Sequence, residues 1–164
     1  MSANRDLALR LASQGVFVFP CWAGGENVKK PLPGVYWRNQ STTDKDRIAR
    51  WWEAAPSAAP AIDLGKSGLF VIDADRHEGG ADGVAAWEEL CEANGFAPDE
   101  GACCATPNNG VHFYFRQPDE AVTNARGDLP RGIDVRGKGG YTLAPGSIMT
   151  NGRSYGAAVL SDLP

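Results

Sequence analysis

Leu69-Phe70-Val71-Ile72-Asp73-Ala74-Asp75 is an apolar, strand-type run that leads straight into two acids spaced by two. Side chains alternate along an extended strand, so Asp73 and Asp75 share one face. Two carboxylates side by side repel each other unless something positive stands between them. A hard divalent cation can do this, since Mg²⁺ takes one or two carboxylates and completes its shell with phosphate oxygens and water. The structural alternative is a strand end whose acids are solvated in a turn, and the pattern alone leaves both open.

Working outward, Ile133-Asp134-Val135 places a third acid between β-branched apolar residues. A buried carboxylate needs a partner. A shared metal would supply one, and so would an ion pair to Arg131 or Arg136. In Val111-His112-Phe113-Tyr114-Phe115-Arg116, alternation puts His112, Tyr114 and Arg116 on one face and Val111, Phe113 and Phe115 on the other. The apolar set is expected to face the core and His112 the open face. There it could donate to a phosphate or ligate a metal, or it could be an ordinary surface or core histidine. Basic residues stand beside glycines in Lys29-Lys30-Pro31-Leu32-Pro33-Gly34 and from Arg131 to Gly140. Glycines let backbone amides approach phosphates that Lys or Arg neutralises, although flexible loops with solvated charges look the same.

The remaining pattern predicts helices mixed with strands. Asn4 is expected to cap a helix carrying Leu7, Ala8, Leu11 and Ala12, with Gly15 as its stop. A strand over Val16–Phe19 should end at Pro20. Thr43 is expected to cap a helix carrying Ile48, Trp51 and Trp52, and another helix should run over Val84–Ala93. Further strands are expected over Ala61–Leu64, Ala102–Ala105, Val111–Arg116, Gly132–Val135, Tyr141–Ala144 and Ser154–Leu160, with a loop over Asp119–Arg131. This order lacks regular βα alternation and indicates an α+β fold.

At 164 residues the chain has the size of one domain with a real core. Its net charge of −4 is unusual for a protein that grips duplex DNA by its phosphates, and suits acids that hold metals. Cys21, Cys91, Cys103 and Cys104 form no CxxC pair, so reduced, structural cysteines are expected; the alternative is a zinc site using Cys91 with Cys103 or Cys104. No apolar run is long enough to span a bilayer, and Met1–Gln14 lacks the apolar core of a signal peptide. A cytoplasmic location is therefore expected. Gly65-Lys66-Ser67 is not a P-loop, because Pro60 stands where that loop needs glycine. His77-Glu78 is not the HxE of a zinc deaminase, and His77 is read as a turn residue after the acid motif, the alternative being that it touches nucleotide or metal.

In this order the pieces resemble the bifunctional DNA primase/polymerase N-terminal (prim-pol) domain family. That family belongs to the archaeo-eukaryotic primase superfamily and occurs in replication proteins of phages, prophages and plasmids. The resemblance begins with Phe17-Val18-Phe19-Pro20, Lys30-Pro31 and Trp51-Trp52. It continues through Val71-Ile72-Asp73-Ala74-Asp75-Arg76-His77 and Thr106-Pro107-Asn108-Asn109-Gly110-Val111-His112-Phe113-Tyr114-Phe115. It ends with Gly132-Ile133-Asp134-Val135-Arg136-Gly137-Lys138-Gly139-Gly140-Tyr141 and Ala144-Pro145-Gly146-Ser147.

The resemblance implies an RRM-like sheet with flanking helices and a small α/β subdomain. It implies that Asp73, Asp75 and Asp134 hold two Mg²⁺ or Mn²⁺ ions, and that these acids and His112 are catalytic. His112 would contact the incoming nucleotide's phosphates, with Gly110, Arg136, Lys138 and Lys30 in the same nucleotide site. Gly110 stands where related primases often carry serine, so any serine role is absent. Residues 1–164 are expected to be one catalytic domain, the N-terminal part of a longer replication protein that also carries a helicase. The implied reaction is template-directed nucleotidyl transfer from nucleoside triphosphates, on a primer and single-stranded DNA template. The alternatives are a metal-dependent nuclease and a non-catalytic nucleic-acid-binding replication module.

Overall fold

A computed structural model describes residues 2–161 and 163. In chain order the elements are α1 (Ala3–Ser13), β1 (Val18–Cys21), α2 (Trp37–Gln40), α3 (Lys45–Ala54), β2 (Ala59–Asp63) and β3 (Leu69–Ala74). There follow α4 (Gly83–Ala93), β4 (Ala102–Ala105), β5 (Val111–Arg116), β6 (Ile133–Arg136) and β7 (Tyr141–Leu143). Every pairing of these strands is antiparallel, and the fold is α+β as expected.

The larger sheet has the order β4-β5-β3-β6. With the chain order β3-α4-β4-β5-β6, this is the arrangement of a split βαβ sheet lacking its second helix. The segment 117–132 stands where that helix would be and runs as loop, as its polar composition predicts. The smaller sheet has the order β1-β2-β7 and carries α1 and α3. It is not a separate unit. One core joins Leu7, Phe19, Ile48, Trp52 and Ile62 to Val71, Cys104 and Tyr114 of the larger sheet. Burial of these apolar groups stabilises the two sheets together, at roughly 25 cal/mol per Å² removed from water. A second core lies on the opposite face of the larger sheet, where Val84, Trp87 and Cys91 of α4 cover Ile72, Phe113 and Val135.

Several local expectations are corrected. Pro20 lies inside β1, opposite Pro60. Neither residue can donate a ladder bond, so the two prolines meet where none is needed, and the Pro20 carbonyl turns outward to accept from Leu32 N–H at 3.1 Å. Ser2, not Asn4, caps α1, accepting from Arg5 N–H at 3.2 Å. Asn4 is buried and donates to the carbonyls of Ala58 and Ile148 at 3.0 and 2.9 Å. Asp44, not Thr43, caps α3 by accepting from Asp46 and Arg47 N–H. Ser154–Leu160 is no strand: Gly156 N–H reaches Ala105 O at 2.8 Å, and beyond the Ile148–Ser154 bridge no ladder continues. His112 is not on an open face, because the smaller sheet and Tyr155 cover it, leaving it 6% exposed.

Candidate active site

The register of the larger sheet builds the site. Asp73 stands opposite His112 on β5 and opposite Asp134 on β6, and His112 stands opposite Cys104 on β4. Cross-strand partners share a face. Asp134, Asp73 and His112 therefore form one row across three strands, with Arg136, Val71 and Tyr114 in the next row of that face. Asp75 extends the acid line just past the end of β3, its N–H held by Gly132 O at 2.8 Å. The opposite parity, Ile72, Phe113 and Val135, points into the α4 core, which is why the acids cannot turn that way.

His112 Nε2 lies 3.2 Å from Asp73 Oδ1, while Arg136 Nε lies 3.8 Å from Asp73 Oδ2. Arg136 also reaches Asp134 at 3.7 Å, and Arg126 approaches Asp134 from the other side at 3.9 Å. Of the two sequence-based ion-pair candidates for Asp134, Arg136 is thus the one in place. Buried Asp73 Oδ1 and His112 Nδ1 are each left without a hydrogen-bond partner among the described residues. Burial pushes the Asp73 carboxyl up, but His112, Arg136 and Lys29 more than offset this and hold it below its ordinary value. Asp75 moves the other way: burial and then the charge of Asp73 raise it.

A cavity of about 450 Å³ opens on Asp73 and His112. Lys29, Arg38 and Arg136 supply cations to its wall, and Trp37, Tyr141 and Tyr155 supply aromatic faces. Trp37 stacks on Phe19 at 5.3 Å, and Arg38 lies 4.6 Å over the Trp37 ring while donating to Gly139 O at 3.3 Å. Lys29 has a left-handed backbone, with φ of 69°, uncommon for a lysine. Tyr141 hydroxyl secures it by donating to Lys29 O at 3.0 Å.

Of the residues singled out from sequence, Asp73, His112 and Arg136 meet in this cavity. Asp75 and Asp134 line a neighbouring one with His77. Gly110 lies beneath Asp75, where a Cβ would stand 2.7 Å from Ala74 O and 3.1 Å from Asp75 Oδ1, so a serine could not fit unaltered. Lys30 and Lys138 are exposed and outside the cavity lining; Lys30 Nζ donates to Asn27 instead. Sequence reasoning placed Lys29 only in a basic stretch beside Lys30, and it missed Trp37, Arg38, Asn124, Tyr141 and Tyr155 as site residues. Asn124 carried no signal: it accepts from Gly137 N–H at 3.0 Å and would collide with any Cβ on Gly140.

Among the described residues, no group of three or more His, Cys, Asp or Glu side chains is placed to hold a metal ion by itself. The donor set fits a hard divalent cation that arrives with phosphate: repelling carboxylates, one of them with an unpartnered buried oxygen, beside a cationic wall. Cys91 and Cys104 pack on opposite faces of the larger sheet and cannot share a zinc ion.

The larger sheet is RRM-like in strand order, and its acid–acid–histidine row lies beside a basic cavity. The model of the bifunctional DNA primase/polymerase N-terminal family matches residues 8–164, and the chain belongs to that family. Membership implies nucleotidyl transfer of the DNA primase/polymerase type, on nucleic acid and nucleoside triphosphates, in a family that generally depends on divalent metal. No curated protein matches the chain. No helix among the described residues is long and apolar enough to cross a membrane.

Proposed function

We propose that this domain is a template-directed DNA primase/polymerase that joins nucleoside triphosphates to a primer on a single-stranded DNA template. The observation that carries this reading is the Asp134–Asp73–His112 row, of which Asp73 and His112 open onto a cavity walled by Lys29, Arg38 and Arg136. Asp73, Asp75 and Asp134 would hold two Mg²⁺ or Mn²⁺ ions, which supply Lewis-acid stabilisation at the attacking and leaving oxygens.

The chain's own groups do the positioning. Lys29, Arg38 and Arg136 neutralise a triphosphate, and the Trp37–Tyr141 wall gives the nucleotide an apolar side. His112 Nε2 is aimed at the acid row and can donate to a phosphate oxygen. In the reaction a 3′-oxygen bonds to the α-phosphorus and the α–β bridging bond breaks. Its electron pair leaves with pyrophosphate, and the hydroxyl proton passes to solvent. The transition state gathers charge on phosphate oxygens, so preorganised cations are the main protein contribution.

A metal-dependent nuclease would use similar acids but has no need of a cationic, aromatic-walled cavity for a triphosphate. A non-catalytic binding module would have no need of the intact acid row. As the family resemblance implies, the domain would work as the N-terminal part of a longer phage or plasmid replication protein carrying a helicase. The deciding measurement is primer extension on a single-stranded template with dNTPs and Mn²⁺ or Mg²⁺, beside Asp73→Ala. Extension that the variant loses, with its circular dichroism unchanged, is the expected result. Equal extension by both proteins would overturn the assignment of Asp73, and metal-dependent degradation without synthesis would favour the nuclease.

A further inference from the structure

The acids and His112 occupy one face of the larger sheet, and the reverse face is only half covered. A split βαβ sheet of this strand order ordinarily carries two helices on one face. Among the described residues this one carries α4 alone, which lies over β6 and β3. It reaches β5 through Trp87, whose ring is 5.8 Å from that of Phe113. β4 is left bare. Cys103 and Ala105 stand opposite Phe113 and Val111 and so share the α4 face, yet both are exposed. Val111 and Phe115 are only half-buried beside them, and Phe96, just beyond α4, is 42% exposed. Single exposed apolar residues are ordinary, but a contiguous patch across two strands and a turn marks a contact surface.

The border of the patch is acidic. From His77 to Phe115 the chain has no lysine or arginine, although it carries 16 of them in all. Glu88, Glu89 and Glu92 are exposed on α4, and Asp99 and Glu100 are exposed just ahead of β4. With a net charge of −4 for the whole chain, this acidity is local. An acidic border repels phosphate, so nucleic acid and anionic lipid do not suit this face. It complements a helix whose apolar stripe is flanked by lysine or arginine.

We propose that a basic amphipathic helix of a partner protein docks across β4 and β5 beside α4. Its apolar stripe covers Cys103, Ala105 and Phe96, and its cations lie against the glutamates of α4. The sheet then carries two helices, the second supplied in trans. Because this face is the reverse of the one bearing His112 and Asp73, docking leaves their cavity open, and the proposal does not depend on the reaction catalysed there.

The probe is a fluorescein-labelled peptide of leucine and lysine, about five turns long, with leucines at i, i+3 and i+4 spacing. Its anisotropy is followed as metal-free protein is added in EDTA, so the readout is binding alone. A peptide of the same composition in scrambled order and one with glutamate for lysine serve as controls. The patterned peptide should bind at least about tenfold more tightly than either. Cys103→Glu is the deciding variant. Attraction by charge alone would leave its affinity equal or greater, whereas a carboxylate set into an apolar contact should weaken binding by about tenfold. Cys103 is exposed, so the fold should accept the change; if circular dichroism departs from wild type, Ala105→Glu, also at an exposed position, takes its place. Glu88→Gln with Glu92→Gln should weaken binding by about threefold and flatten its dependence on salt. No binding of the patterned peptide, equal binding of the scrambled one, or undiminished binding by the folded glutamate variant overturns the proposal. So does displacement of the peptide by an oligothymidylate, which would make the face a nucleic-acid site. Self-association of wild type that Cys103→Glu abolishes would make the occupant a second copy, and overturns it too.

Discussion

Asp75 is held against its preference. Burial and the neighbouring charge of Asp73 raise its carboxyl, so its ionised form destabilises the metal-free protein near neutral pH. The contribution is favourable below the ordinary carboxylate range and is lost as pH rises through the raised value. Asp75→Asn removes the repulsion. Thermal unfolding in EDTA should show a stabilised variant, by about 1 kcal/mol at most because Asp75 is half open to solvent, while primer extension falls to background. A variant that is both less stable and fully active would contradict this account. At Gly110 the constraint is steric. Gly110→Ser must push against Ala74 O and Asp75 Oδ1, and should cost about 1–3 kcal/mol in urea titration. The repulsion from Asp73 was legible in the spacing of the two acids, but the constraint on Gly110 was not, because it comes from the end of a strand paired across the sheet.

Among elements, α1 shows what periodicity can and cannot supply. The spacing of Leu7, Ala8, Leu11 and Ala12 marks its buried face, and those residues are buried. The role of Asn4 was illegible, since its partners Ala58 and Ile148 are far away in sequence. Ser2→Ala should cost about 1 kcal/mol as a lost cap. Asn4→Ala should cost about 3 kcal/mol, because it strands buried partners at two sites. Denaturant midpoints of the two variants test the order, and equal losses would show that Asn4 is only a helix residue. The strand reading succeeded where alternation met an apolar core, as in β3 and β5. It failed at Ser154–Leu160, where apolar residues pack without a ladder, and at Pro20, where a paired strand tolerates a missing donor opposite another proline.

For the whole molecule, the apolar faces of both sheets were legible, but their stacking was not. His112 looked open because nothing in its own strand says that another sheet covers it. Tyr114 hydroxyl and Thr142 Oγ1 share a buried hydrogen bond of 3.1 Å across that junction. Since one core runs through both sheets, unfolding should be a single transition. Fluorescence of variants retaining only Trp52 or only Trp87, one in each core, should give coincident midpoints; separated midpoints would mean that the α4 side melts alone. Tyr114→Phe removes the hydroxyl bonded to Thr142 but keeps the ring beside His112, and should lower stability by about 1–2 kcal/mol, read as a lower denaturant midpoint.

The pairing of β6 with β3 has a further consequence. β6 is a four-residue edge strand, and its alternation admits no halfway position. Slippage by one residue would turn Asp134 into the α4 core and bring Ile133 or Val135 out beside Asp73. Under the role proposed for Asp134, a chain that mispairs here would be inert and would not become an error-prone enzyme. If the proposed reading holds, catalytic output from this domain would also be a quality check on its own assembly, with correct strand pairing and chemical competence acquired in the same step.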